Sequence, residues 1–445
     1  MLDSVIVIKN TQTATPIITA HLLILILMLM LAGCDRDRSD HSGPEGAVTL
    51  KVWAHAGQQA EREVLQSQVA RFDQRSDEID VELTFIPERD YNALVQAAAL
   101  AGDLPDVLEF DGPYLYNYIW QGHLLPLEDL LPTTLIDDLL PSVIRQGTYD
   151  QHLYAVGVFD SGLGLYARRS ALEAVGARLP ESAADAWSIG EFNDVLSKLS
   201  LRDSDRAVLD LKLNYAGEWV SYGFSPVLQS AGADLIDRES SQASQGVLNN
   251  EAAVAALQHL QNWIMAGYVD PNIDDAAFVN GRVVLSWVGH WAYADYKQAW
   301  PDDLVVLPLP DFGLGSKTGQ GSWHWGISQH SQQPRAAAAF IAFLLNTDEV
   351  LQMSNANGAV PATRTAVARS VNYQEGGELH LFAEQLIQGV SVPRPRTPAY
   401  PVITTEFQKA FQQIRNGADV KQALDEAARR IDQDIRDNQG YRAVH

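Results

Sequence analysis

At 445 residues the chain is too long for one ordinary core, so two domains or one large two-lobed unit is expected. Charged residues at 20% and apolar residues at 46% describe a globular protein without disordered bulk. The formal net charge of −24, spread without a long block of like charges, excludes nucleic acid and anionic membrane surfaces as partners, since both need basic patches.

In chain order, residues 22–32 form an apolar run about half the length of a bilayer span, the size of a signal-peptide core. It ends in Leu31-Ala32-Gly33-Cys34, which resembles a bacterial lipoprotein lipobox and makes Cys34, the single cysteine, the expected lipidation site and mature N-terminus. Residues 35–46 are polar with Gly and Pro and read as a flexible tether. Val48, Leu50 and Val52 alternate as a half-buried strand, followed by a helix with Leu65, Val69 and Phe72 on one side. Ile79, Val81, Leu83 and Phe85 make a second strand. A helix from about Asp90 is expected to turn Leu94, Ala97, Ala98 and Ala101 inward and to stop at Gly102. A short buried strand follows over 105–110. Strand–helix alternation of this kind predicts parallel α/β layers with ligands beyond the carboxyl ends of the strands, near His55, Gln58, Phe110 and Asp111.

Residues 154–160 form a further apolar strand that 161–166 are expected to continue. Residues 172–275 are mostly helix and loop, including a helix over 187–199 whose Ser188 and Glu191 fit a capping box. In 281–296 an apolar strand breaks at Gly289 and carries Trp287, Trp291, Tyr293 and Tyr296 through the break, an arrangement that can hold a flat apolar platform at the mouth of a sheet. Strand 304–309, an apolar helix over 335–345 behind Pro334, and an amphipathic helix over 420–437 complete the pattern. Three motifs fail on spacing. Ser316 precedes Lys317 where a phosphate loop needs glycine, Gly162-Leu163-Gly164 lacks the third glycine of a dinucleotide fingerprint, and the 11 histidines include no pair at metal-ligand spacing. No Gly-x-Ser-x-Gly elbow is present, so no cofactor, metal or nucleophilic serine is expected.

Over about 48–437 the chain resembles the extracellular solute-binding proteins of bacterial sugar ABC importers, of the maltose- and trehalose-binding type. The resemblance is carried by Ala101-Gly-Asp-Leu-Pro-Asp106, by 154–168, by 281–291, by Gly321-Ser-Trp-His-Trp-Gly-Ile-Ser328 and by Gly358-Ala-Val-Pro-Ala362. It implies an α/β, two-lobed, periplasmic-binding-protein-like (type II) fold with hinge crossings near 156–160, 307–311 and 361 and a central ligand cleft. The implied division is a signal peptide over 1–33, a lipidated tether over 34–46, one lobe over 47–156 and 310–361, and the other over 157–309 and 362–440.

The resemblance also implies the site. Asp160 would accept sugar hydroxyls at the first crossing, Phe110 and Asp111 would follow the third strand, and Trp291 would stack on the sugar. Trp323 and Tyr222 would be further aromatic contacts. Trp287 and Trp325 are expected in the core. Arg394, Arg396 and Tyr400 would edge the cleft, with His55, Gln58 and Arg89 on its rim. His290 stands where the family often has proline. The expected partners are a mono- or oligosaccharide and the transmembrane subunits of an ABC permease, with the protein a monomer held at the periplasmic or cell-surface face of the membrane by the Cys34 lipid and performing no catalysis. Two other readings stay open: an exported glycan hydrolase using Asp111 and Asp160 as its carboxylate pair, and a sensor docking on a membrane receptor.

Overall fold

The protein is described by a computed structural model over residues 47–442 apart from 76, 77, 216 and 273; the expected leader, Cys34 and tether lie outside the described residues. Strand β1 (Val48–His55) buries Leu50, Val52 and Ala54. It pairs in parallel with β2 (Ile79–Ile86) on one side and β3 (Val107–Asp111) on the other. The edge strand β2 keeps Asp80, Glu82 and Thr84 exposed on alternate positions, charge that blunts an open edge. Helix α1 (Gln59–Asp73) buries Leu65, Val69 and Phe72, as their spacing predicts. Helix α2 (Glu88–Ala101) does end at Gly102, whose φ of 68° suits glycine, but its inward face is different. Tyr91 and Val95 are buried while Leu94 is 43% exposed, because the larger Tyr91 takes the core and hands its hydroxyl to the Trp53 carbonyl.

The strand expected over 154–166 is three strands. Strand β4 (Ala155–Val156) joins the first sheet, β5 (Phe159–Asp160) leaves it, and β6 (Leu163–Arg168) enters a second sheet. No single strand can pair in both sheets, so the ladder breaks where the chain crosses. The capping box at Ser188 forms and starts helix α3 (Ile189–Ser200). Farther on are β7 (Leu209–Asp210), helix α4 (Trp219–Ala231), helix α5 (Glu251–Met265), β8 (Leu285–Gly289) and β9 (Leu304–Leu307). Strand β10 (Thr318–Gln320) precedes β11 (Trp323–Ile327). Helices α6 (Pro334–Leu344) and α7 (Thr347–Asn357) lead to β12 (Val360–Pro361) and β13 (Ser391–Pro393). The chain closes with α8 (Tyr400–Arg415) and α9 (Val420–Asp437).

The first sheet has the order β2-β1-β3-β11-β4 and the second β9-β6-β8-β7, each mixing parallel and antiparallel pairs where parallel layers alone were expected. Each sheet owns a core. Leu50, Val107 and Ile327 pack on Phe340, Ile341 and Leu344 of α6, while Leu165, Leu285 and Trp287 pack with Phe224, Phe411 and Leu424. Phe224 stacks on Phe411 at 4.5 Å, and each such ring contributes about 1.5–3 kcal/mol by leaving water. Trp287 and Trp325 are core residues, both 1% exposed. Two small pairings join segments that run between the sheets, β5 with β12 and β10 with β13.

Candidate functional site

Strand ends converge on one cluster. Strand β1 ends in His55, whose Nδ1 lies 2.7 Å from Glu109 Oε2, and whose backbone N–H donates to the same oxygen at 3.1 Å. Burial pulls the imidazolium down, but the Glu109 carboxylate, its hydrogen bond, and Glu61 and Glu88 outweigh that and raise the pKa to about 9. The charged ring stacks on Trp323 at 3.9 Å and 6°, and Tyr91 meets the same indole in a T-shaped contact at 5.6 Å. One residue past the core-facing positions of β3, Asp111 receives both ends of the Arg394 guanidinium, at 2.6 and 2.5 Å. Arg394 follows β13 and is 5% exposed. Its Nη1 also donates to Glu218 at 2.8 Å, its plane lies 5.1 Å from the Tyr222 ring, and its Nε has no partner among the described residues. Glu218 further accepts from Tyr114 at 2.9 Å and from Tyr400. Burial pushes the Glu218 carboxyl up, against the pull of Arg394.

From the second sheet comes Trp291. A Cβ at Gly289 would sit 2.0 Å from the Trp291 ring, so the indole folds back over β8 only because that residue is glycine. Trp219 edges it at 6.1 Å, Tyr222 lies tilted at 6.0 Å and His290 stands perpendicular at 5.2 Å. Its carbonyl accepts from Gln58 Nε2 at 2.6 Å, a bond from the start of α1 across to the end of β8. A second route runs alongside: His290 Nδ1 meets the Asn357 carbonyl at 2.9 Å, and Asn357 Nδ2 donates to Glu61 of α1 at 2.9 Å. Gly358 has φ of 69°, and a side chain there would strike the His290 carbonyl at 2.7 Å.

His55, Gln58, Asp111, Tyr222, Trp291, Trp323, Arg394 and Tyr400 are thus brought together by these contacts, and four expected residues are not. Phe110 is fully buried against Tyr118 at 5.2 Å, because alternation along β3 turns it into the core when Asp111 faces out. Asp160 is fully buried and already accepts from the Ser161 N–H at 2.8 Å and from the Gln146 and Gln320 amides at 3.3 Å, so it braces the crossing. Burial pushes its carboxyl up. Arg396 reaches away to Tyr116 and the Thr148 carbonyl. Arg89 is exposed on the first turn of α2 and pairs with Asp90. Sequence reasoning missed Tyr114, Ser161 and Glu218. Ser161 Oγ lies 2.7 Å from the Tyr222 hydroxyl and 3.0 Å from His290 Nε2. This looks like a nucleophile and its base, but burial lowers His290 to about 4, too weak a base to activate a serine at neutral pH.

The sequence profile of the bacterial extracellular solute-binding proteins matches residues 67–380. The chain belongs to that family. Among the relatives of this solute-binding protein, the melibiose/raffinose/stachyose-binding protein MelE of Bacillus subtilis is 22% identical, covering 93% of this chain and 96% of its own. A lipoprotein in the oleD 5′ region of Streptomyces antibioticus is also 22% identical, over 90% of each chain. Of the solved structures, the GacH receptor of Streptomyces glaucescens, studied unliganded and with acarbose, superposes with a TM-score of 0.73 at 21% identity, over 88% of this chain and 98% of that one. Maltose-bound MalE3 of T. maritima gives 0.73 at 22% identity, over 86% and 99%. The fold is therefore the two-lobed α/β fold of the periplasmic binding proteins, with one sheet to each lobe.

Proposed function

We propose that this solute-binding protein is the substrate-capturing subunit of an ABC-type carbohydrate importer. It closes its lobes over a mono- or oligosaccharide and presents it to a membrane permease, without a catalytic step. The observation that carries this reading is the Trp291 indole, seated over Gly289 between Trp219 and Tyr222, with the Asp111–Arg394–Glu218 charges beside Tyr222. A flat apolar face next to fixed donors and acceptors suits a sugar ring, apolar on its faces and hydroxylated on its rim. The names of MelE and the bound acarbose and maltose of GacH and MalE3 support the same class of ligand.

In this reading Trp291, Tyr222, Trp323, Asp111, Arg394, His55 and Gln58 surround the sugar, while Tyr400, expected at the cleft edge, is fully buried and holds Glu218 from behind. The lobes divide as 47–156 with 323–361 and 157–311 with 362–440, rather than at the expected boundary of 310. Asp311 still exchanges backbone hydrogen bonds with Trp187 and Ile189, which moves the second crossing later, into 312–322. Lipidation at Cys34 and the 35–46 tether keep the monomer near its permease. A hydrolase would need both Asp111 and Asp160 free, whereas one is held by Arg394 and the other by amides.

A thermal-shift screen with maltose, maltotriose, melibiose, raffinose and stachyose tests the reading. A bound sugar at a hundred times its Kd stabilises the fold by about 2.7 kcal/mol. Stabilisation by none of them at millimolar concentration would sink it.

A further inference from the structure

The three side chains behind Trp291 have only one consistent hydrogen order. His290 Nδ1 faces the Asn357 carbonyl, which can only accept, so Nδ1 carries the ring proton. The ring is buried with no carboxylate in hydrogen-bonding reach among the described residues, and burial lowers its pKa to about 4, so it is neutral and Nε2 is bare. A bare Nε2 accepts, so Ser161 spends its single hydrogen on His290 at 3.0 Å. The Ser161 oxygen is then left to accept at 2.7 Å, and the Tyr222 phenol must be the donor. The order is Tyr222 O–H to Ser161, Ser161 O–H to His290, and His290 Nδ1–H to the Asn357 carbonyl. Burial pushes the phenol up, with Asp160 and Asp111 adding to the shift, so it keeps its hydrogen.

With its hydrogen committed inward, Tyr222 has only lone pairs to offer. We infer that Tyr222 is a specificity-determining residue that meets the ligand as a hydrogen-bond acceptor alone, so the ligand group seated on it carries a hydrogen: a hydroxyl or an amine, and not an ether, carbonyl or carboxylate oxygen. His290 is the positioning residue that fixes this polarity from behind Ser161. The ligand half of the inference rests on the sugar-binding reading; the hydrogen order does not.

Two measurements separate them. Isotope-edited NMR of the full chain labelled in its histidine ring nitrogens, with the His290 signals assigned by their loss in His290→Gln, reads the tautomer without any sugar. The proton on Nδ1 and an imine-type Nε2 at neutral pH are expected; a proton on Nε2, or an imidazolium, overturns the inference.

The second uses the best-binding sugar of the screen and its monodeoxyfluoro analogues, in which fluorine replaces a donating hydroxyl. One analogue should lose about tenfold in affinity against the wild type and almost nothing further against Tyr222→Phe. His290→Gln, whose amide can donate to Asn357 and accept from Ser161, should keep that discrimination, and His290→Leu, which frees the phenol to donate, should lose it. Equal losses for every analogue in wild type and Tyr222→Phe overturn the acceptor role. Failure of every sugar in the screen overturns the sugar reading instead, and leaves the tautomer to decide the hydrogen order.

Discussion

His55 carries its charge between a carboxylate and an indole, and this makes stability depend on pH in a stated direction. Its folded pKa of about 9 lies above the ordinary 6.5, so the folded state holds the proton more tightly than the unfolded chain. The stabilisation, on the order of 3 kcal/mol, is complete below about pH 6.5 and is lost as pH rises through 9. Calorimetry of wild type and His55→Gln across that window should show the gap in Tm closing toward high pH; a constant gap would mean that His55 is uncharged. Trp291→Ala should weaken sugar binding more than tenfold with the fold intact, because Gln58 holds the backbone carbonyl and not the ring. Titration calorimetry reads the first and circular dichroism the second. The burial of Trp287 was legible from its position two residues inside Gly289. Phe110 and Asp160 were misjudged because neighbours on a strand face opposite ways, and because a carboxylate at a crossing can be used up by amides that lie far off in sequence, as Gln320 does.

At the scale of elements, the segment after β13 does the most with the fewest residues. Arg394 joins Asp111 at the end of β3 to Glu218 at the start of α4, and nearly all of it is buried. Arg394→Ala would leave two carboxylates in low dielectric and should cost about 3–5 kcal/mol, measured by urea unfolding. Arg394→Lys should recover little of this, since a point charge cannot span both partners in fork geometry. A triple variant, Arg394→Met with Asp111→Asn and Glu218→Gln, should be more stable than Arg394→Ala, which shows that the loss lies in stranded charge. None of this could be read from the sequence, where Arg394 and Asp111 stand 283 positions apart. Periodic elements were legible: α1, α9 and the Ser188 capping box follow their patterns. The face of α2 was not, because small alanines left Tyr91 and Val95 to decide which side goes in.

For the whole molecule, strand–helix alternation gave the α/β class, but a chain that returns to its first sheet at Trp323 after more than a hundred residues in the second leaves no periodic trace. Pairing partners so distant had to come from resemblance or from the fold. Lobe closure is the motion expected of it. Small-angle scattering should show a smaller radius of gyration when the best-binding sugar is added, and Gln58→Ala should reduce the change, since its amide ties the start of α1 to the Trp291 carbonyl. Unchanged scattering with saturating sugar would count against closure. Cys34→Ser should release the protein from the membrane fraction into the soluble one, as immunoblotting of fractions would show; retention would place the anchor elsewhere.

The bond from Gln58 to the Trp291 carbonyl has a kinetic consequence. If Trp291 stacks the sugar as proposed, the residue under the ligand is also the one Gln58 grips, so the sugar would be held against the indole while the grip lasts. Residence time should then follow how often the lobes part, and sugars of different affinity should leave at more similar rates than they arrive. A transporter that pries at the Gln58 turn would discharge all of them by the same movement.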